Sequence, residues 1–159
     1  MLVGVLSDTH DHVLLVKRAV EFFVKEGVEQ IIHAGDIVAP FSLVPILESG
    51  IPFQGVLGNN DGEVTLLLER SKGAIQPAPR KLVIGECQIL LQHFHHFVKE
   101  IALSGKFDAV IYGHTHEVDN RTIGKTLLLN PGECCGLLSG RATVALMDTD
   151  TMEAEIVTL

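Results

Sequence analysis

The chain reads as an α+β fold of αββα type: two mixed β-sheets packed as a sandwich, with helices on the outer faces. Two observations lead there. Residues 1–70 alternate apolar strand runs with helix-spaced segments in the order β-α-β-α-β, the pattern of strands covered by helices. From residue 80 onward, most strand runs are joined across short turns, which marks antiparallel hairpins. The length of 159 residues corresponds to one domain over 1–159 and excludes a full (β/α)₈ barrel.

Each element has its own justification. Leu2 to Leu6 is an apolar strand ending in Ser7-Asp8-Thr9-His10. In the helix that follows, Val13, Val16, Ala19, Val20, Phe23 and Val24 recur at helical spacing. Asp11 is placed as its N-cap and Gly27 as its C-terminal stop. Val28 to Ile32 is a second strand, ending in His33-Ala34-Gly35-Asp36. A short helix over Phe41 to Glu48 is punctuated by Gly50 and Pro52. Phe53 to Leu57 forms a third strand running into Gly58-Asn59-Asn60-Asp61, and helical residues Glu63 to Arg70 lead to a loop broken by Pro77 and Pro79. Arg80 to Ile84 and Gln88 to Leu91 pair across Gly85-Glu86 and exit at Gln92-His93-Phe94-His95-His96, with a short helix to about Ser104. The β-branched run around Ala109 to Tyr112 is a buried strand that empties into Gly113-His114-Thr115-His116. Val118 to Ile123 and Thr126 to Leu129 make a hairpin, Asn130-Pro131-Gly132-Glu133 a loop, and Ala142 to Met147 with Glu153 to Val157 the closing pair.

Composition narrows the function classes. No apolar run reaches membrane-spanning length, and Asp8 arrives too early for a secretory leader, so a cytoplasmic protein without membrane association is expected. The formal charge of −8 argues against nonspecific nucleic-acid binding. Apolar residues make up 47% of the chain before its 15 Gly are counted. With them the share is roughly 55%, above the usual range, which points to additional buried surface and hence a homo-oligomer, a dimer or tetramer. Cys87, Cys134 and Cys135 form neither a disulfide framework nor a zinc ribbon and read as reduced thiols.

Ligand-type side chains gather where the strands end: Asp8 with His10, Asp36, Asn59, His93, and His114 with His116. In α/β sheets such carboxyl ends share a rim. His114 and His116 lie two apart, so an extended backbone holds their Cα atoms roughly 6.5–7 Å apart on one side. Two imidazoles so placed reach one metal ion, or one each of a close pair. Taken singly, Asp8 or Asp36 could cap a helix and Asn59 could serve a turn.

The set Asp8-x-His10, Gly35-Asp36, Gly58-Asn59-x-Asp61, His93 and Gly113-His114-x-His116, in that order, resembles the calcineurin-like metallophosphoesterases. The length and the Asn130-Pro131-Gly132 turn are most similar to their small single-domain prokaryotic phosphodiesterase branch. The resemblance implies a β-sandwich flanked by helices and two divalent cations. Asp8, His10, Asp36 and His116 would hold one, and Asp36 would bridge to a second completed by Asn59, His93 and His114. A hydroxide activated between the cations would attack a small phosphate ester, with Asp36, Asn59, Asn60 and His114 around the reacting phosphate. Imidazole, carboxylate and amide ligands without thiolate suit Mn²⁺, the first expectation, or Ni²⁺, Zn²⁺, Fe or Co²⁺, better than Ca²⁺.

Two departures from the family pattern matter. Many of its phosphatases carry a His after the ligand Asn to protonate the leaving group, where this chain has Asn60. A neutral amide cannot act as a general acid near pH 7, so activated diesters are expected over alkyl monoesters. The fourth motif is His93-Phe94 rather than His-Gly, with His93 the favoured ligand and His95 the second choice. His33 reads as a strand-end packing residue, and His12 and His96 as solvated. Asp61 either stabilises its turn or orients a ligand His, while Arg121 and Arg141 read as surface charge. Among alternatives, Val118 occupies the Asp position of a metallo-β-lactamase signature, and no G-x-x-x-x-G-K-[ST] loop supports a nucleotide-binding module. A phosphoesterase-like scaffold with slow or no turnover is the remaining competitor, against which every ligand position carries a competent residue.

Overall fold

Alternation along the strands decides what each face buries, and it divides the apolar residues among three clusters. The computed structural model describes residues 1–159. One sheet has the order β11-β10-β1-β2-β3-β4, built from Leu2–Leu6 (β1), Gln30–His33 (β2), Phe53–Val56 (β3), Ile75–Gln76 (β4), Thr143–Asp148 (β10) and Glu153–Thr158 (β11). The other is β5-β6-β7-β9-β8, from Arg80–Ile84 (β5), Cys87–Leu91 (β6), Ala109–Ile111 (β7), Val118–Ile123 (β8) and Thr126–Pro131 (β9). Val3, Val5, Ile32, Ile89, Ile111 and Leu129 fill the space between the sheets. The alternate residues Leu6 and Ile31 meet Val16, Ala19 and Phe23 of helix α1 (Val13–Glu26) on one outer face. On the opposite outer face, Leu90, Val110 and Leu128 pack with Val98 and Ala102 of a short helix, Val98–Leu103. Helix, sheet, sheet, helix is the expected layering. Full burial of such a side chain contributes roughly 1.5–3 kcal/mol.

Both sheets are mixed. β1, β2 and β3 run parallel, as do β6, β7 and β9, while β5–β6, β8–β9 and β10–β11 are antiparallel hairpins. Thus the carboxyl ends of the parallel strands in the two layers meet along one rim. Gly4 is required inside β1, since a Cβ there would meet the Phe23 ring at 2.9 Å and push α1 off the sheet.

Some expectations need correction. Asp11 does not cap α1: His12 precedes the helix without a side-chain cap, and the Asp11 carboxylate instead accepts from the Ala39 N–H at 2.9 Å and the Ser42 hydroxyl at 3.0 Å. The helix expected over Phe41 to Glu48 divides into a 3₁₀ turn, Pro40–Leu43, and helix α2, Val44–Glu48. β4 lies in what reads as loop, and Asn130-Pro131 extends β9. Gly27 does end α1 in the left-handed conformation, and a third helix, Val64–Arg70, follows β3 as expected.

Candidate metal centre

The rim places every candidate ligand at a strand exit. Asp8 and His10 follow β1, Asp36 follows β2, Asn59 follows β3, His93 follows β6, and His114 and His116 follow β7. Two close groups form among these residues, Asp8 with His10 and His116, and Asp8 with Asp36 and His93, and a third joins His116 to Glu133 and Cys135, each with its ligand atoms within 4.8 Å of one another. His10 Nε2 lies 3.6 Å from Asp36 Oδ2, and His93 Nε2 lies 3.5 Å from the same oxygen. Asp8 belongs to the first two groups, and Asp36, a member of the second, also reaches His10 of the first. Asn59 Oδ1 is 2.9 Å from His93 Nε2, and the His114 ring is edge-on to His93 with centroids 5.1 Å apart.

The local backbone is bent to this purpose. Asp8, His10, Asp36, His114 and His116 all adopt positive φ, between 41° and 68°, which costs an L-residue of order 1 kcal/mol or more. The glycine before each of three ligands has a steric reason. A Cβ on Gly58 would overlap Asp36 Oδ1, one on Gly113 would overlap Ser7 Oγ, and one on Gly35 would come within 2.7 Å of His93 Nδ1. Asp61 braces two of the loops together, accepting from the Ile37 and Val38 N–H groups and, through its other oxygen, from Gly58 N–H, each at 2.7 Å. It stabilises the turns and does not touch a ligand His.

Hydrogen bonds made away from the centre leave lone pairs aimed into it. His93 Nδ1 lies 2.8 Å from the Ala34 carbonyl, and as a carbonyl only accepts, Nδ1 carries the hydrogen. Its Nε2 then faces Asn59 Oδ1 and Asp36 Oδ2, three electron-rich atoms that only a proton or a metal cation reconciles. Burial alone would lower the His93 pKa, but the hydrogen bond and charge of the Asp36 carboxylate hold it above the ordinary value. His116 Nδ1 is likewise 2.8 Å from Glu133 Oε2, and its Nε2 lies 3.4 Å from Asp8 Oδ1. Asp8 Oδ2 accepts from Ser7 Oγ at 2.6 Å and from His114 N–H at 3.1 Å, while Asp8 Oδ1 and His10 Nε2 are buried without a hydrogen-bond partner. Burial pushes the Asp8 carboxyl above the usual carboxylate range despite the Ser7 bond. Burial acts the same way on Asp36, yet hydrogen bonds from His93 and Asn60 outweigh it and hold that carboxyl well below the range. Buried polar atoms of imidazole and carboxylate side chains left without hydrogen bonds are the environment that a divalent cation completes.

The remaining polar residues sort by contact. Asn60 donates from its backbone N–H to Asp36 Oδ1 at 2.8 Å and from Nδ2 to Asp36 Oδ2 at 2.7 Å, so its amide steadies the central carboxylate. A carboxylate oxygen has two lone pairs, which leaves each free to bind a cation as well. His33 is fully buried, with Nδ1 accepting from Gly35 N–H and Nε2 3.1 Å from Thr9 Oγ1; burial lowers its pKa to about 4. It packs behind the rim. His95 is exposed and stacks on His114 at 5.7 Å, whereas His93 is buried against Asp36. Phe94 packs edge-on against both His93 and His114.

Sequence reasoning passed over Glu133. It is completely buried, and besides His116 it accepts from the Leu138 and Ser139 N–H groups and from Cys135 Sγ. Burial would raise its pKa, but those donors bring it down to about 2. Asn130 ties the same segment to the His114 loop, donating to the Gly113 carbonyl at 3.1 Å and Thr115 Oγ1 at 3.0 Å. The available signal was an acidic residue directly after an Asn-Pro-Gly turn.

Imidazole, carboxylate and amide groups gathered on the rim of an αββα sandwich define the class: a protein with a divalent-cation centre built for N and O ligands. The chain belongs to the calcineurin-like phosphoesterase superfamily, whose domain pattern matches residues 1–152. It is 39% identical over 159 residues to the phosphodiesterase MJ0936 of Methanocaldococcus jannaschii, covering 96% of each chain. A solved archaeal phosphodiesterase superposes with a TM-score of 0.92 at 37% identity, over 100% of both chains. The zinc complex of Vps29 from Entamoeba histolytica shares the fold, with a TM-score of 0.72, 18% identity and 99% of both chains covered.

Proposed function

We propose that the chain is a divalent-metal phosphodiesterase whose two cations share Asp36. Asp8, His10 and His116 would complete one position, and Asn59, His93 and His114 the other. The observation that carries this is the convergence of Asp36 Oδ2 on His10 Nε2 and His93 Nε2, at 3.6 and 3.5 Å, with Asp8 Oδ1 left without a hydrogen-bond partner beside them. When bound, such a pair lowers the pKa of a water between them and stabilises the charge that develops on phosphate. The names of the relatives support phosphodiester cleavage. Mn²⁺ is the first expectation for the metal, and a small phosphate ester the substrate.

The residues around the cations act by position. Ser7, His114 N–H and Asn60 hold the two carboxylates in fixed orientations. Ala34 and Glu133 fix the tautomers of His93 and His116, so that each Nε2 presents a lone pair. Asn60 cannot deliver a proton to a departing alkoxide, which favours esters whose leaving group is already stable as an anion. Exposed Phe41, Val44, Leu47 and Leu66 leave apolar surface on the helical side, in keeping with a homo-oligomer. The test is Asp36→Ala. It should lose both cations, measured by metal analysis after dialysis, together with cleavage of bis-p-nitrophenyl phosphate. A variant that keeps two bound metals and full activity would refute the bridging role.

A further inference from the structure

Two recesses of unlike chemistry flank the metal centre. A cleft of about 660 Å³ between the His95–Glu100 segment and β8 contains none of the candidate ligands but adjoins them through Thr115, which lies between His114 and His116, and through His95, which stacks on His114. On the other side, a recess of about 260 Å³ bordered by His10, Asn60 and His116 is walled by Leu137 and Leu138, which are 65% and 77% exposed. A phosphate diester has two ester arms, and a centre flanked on both sides can hold both.

The larger cleft contains a built feature that the metal chemistry does not use. Tyr112, the residue after β7, is 6% exposed and donates its hydroxyl to Asp119 Oδ2 at 2.7 Å. Arg121 engages both oxygens of the same carboxylate, Nε at 2.9 Å from Oδ1 and Nη2 at 3.1 Å from Oδ2. Arg121 is exposed, as expected of surface charge, and this ion pair fixes its orientation. A guanidinium fixed on a carboxylate keeps N–H donors and its planar faces free, and being held in place it loses little freedom when a ligand arrives. Phe97 lines the same cleft, 73% exposed and with a φ of 59°, an uncomfortable backbone for an aromatic residue that serves no core. Charge decides what such a cleft takes. Glu100, Glu117 and Asp119 outnumber Lys99 and Arg121, which disfavours a second phosphate. A neutral planar π-system suits an aromatic ring and a guanidinium face together.

We propose that the substrate is an unsymmetrical phosphate diester: its larger arm, a planar aromatic or heteroaromatic group, binds in the cleft against Arg121 and Phe97, and its smaller apolar arm lies against Leu137 and Leu138. This rests on the phosphodiesterase reading above, and the test separates the two. Binding of methyl(1-naphthylmethyl)phosphinate, which has no ester bond to cleave, and of its saturated decahydronaphthyl counterpart to the metal-loaded protein is measured by calorimetry. The two probes are alike in size and apolarity and differ in planarity. The naphthyl probe should bind about tenfold tighter, the scale of one stacking contact. That ratio should collapse in Arg121→Ala and in Phe97→Ala, and Arg121→Lys, which keeps the charge and loses the plane, should not restore it. Equal binding of the two probes, or a ratio untouched by these substitutions, would overturn the proposal. Cleavage of bis-p-nitrophenyl phosphate is followed on the same preparation. Cleavage without planar selectivity overturns the cleft assignment alone, whereas planar selectivity without cleavage supports the cleft and overturns the phosphodiesterase reading.

Discussion

Replacing Glu133 with Gln changes one atom in a side chain that never touches the reacting phosphate, yet it should weaken the metal centre measurably. The carboxylate is wholly buried, with Oε2 2.8 Å from His116 Nδ1 and Oε1 accepting from Leu138 N–H at 2.8 Å and from Ser139 N–H. In Gln an NH₂ group takes the place of one oxygen. If it faces Leu138 and Ser139, two donors oppose a donor. If it faces His116, the imidazole must move its hydrogen to Nε2, removing the lone pair that now lies 3.4 Å from Asp8 Oδ1. Either way an interaction of the charged-hydrogen-bond type is lost, about 1.5–3 kcal/mol of fold stability. Loss of a partner behind a ligand His typically lowers metal affinity 10–100-fold, or about 1.4–2.7 kcal/mol. Competition against a fluorescent chelator gives the Mn²⁺ affinity, and denaturant unfolding of the chelated protein gives the stability change. Wild-type affinity in Glu133→Gln would refute the assignment of Glu133 as the group that orients His116.

Two further perturbations probe neighbouring claims. Asn60→His supplies a general acid where the chain has an amide, and should raise monoesterase activity relative to diesterase activity on p-nitrophenyl substrates by tenfold or more, with the full effect of acid catalysis, about 10²–10⁴, as the ceiling. An unchanged ratio would show that proton delivery is not what limits monoesters. His33 should make stability depend on pH. Its folded pKa of about 4 lies below the ordinary 6.5, so between those values the unfolded chain binds a proton that the folded one does not. Stability from this group is complete above pH 6.5 and is lost as pH falls toward 4, by about 3 kcal/mol. In chelated protein, His33→Asn, which keeps an acceptor for Gly35 N–H, should flatten that part of the profile. An equally steep profile would assign the loss to other groups.

How far the sequence speaks depends on the range of the interactions. The αββα layering was legible because alternation at period 2 and 3.6 is local: Val3 and Val5 face one way and Leu6 the other whatever their partners are. The candidate ligands were legible because each is tied to a strand exit. What bends those exits is not local. That Gly58 and Gly113 must lack a Cβ follows from Asp36 and Ser7, which reach them from other strands. Asp11 looked like a helix cap because a cap is the local use of such a residue, but its partners Ala39 and Ser42 come from a loop 28 and 31 positions away. Glu133 is separated from His116 by 17 positions and from recognition by the lack of any pattern linking them. The placement of β10 beside β1 has the same cause, since a hairpin pattern states the partner within the hairpin and is silent on the sheet it joins. The two-residue β4 is too short for periodicity to register, with prolines directly after it.

The central claim is that two cations on a shared Asp36 make this chain a phosphodiesterase. Its most direct test is to strip the protein with chelator, titrate Mn²⁺ back, and follow bound metal and cleavage of bis-p-nitrophenyl phosphate and p-nitrophenyl phosphate on the same samples. The account predicts that diester cleavage returns as the metal content approaches two per chain, with little monoester cleavage at any point. Two bound cations with no hydrolysis of either ester, under Mn²⁺ or any of Ni²⁺, Zn²⁺, Fe²⁺ and Co²⁺, would contradict it and favour a metal-binding scaffold.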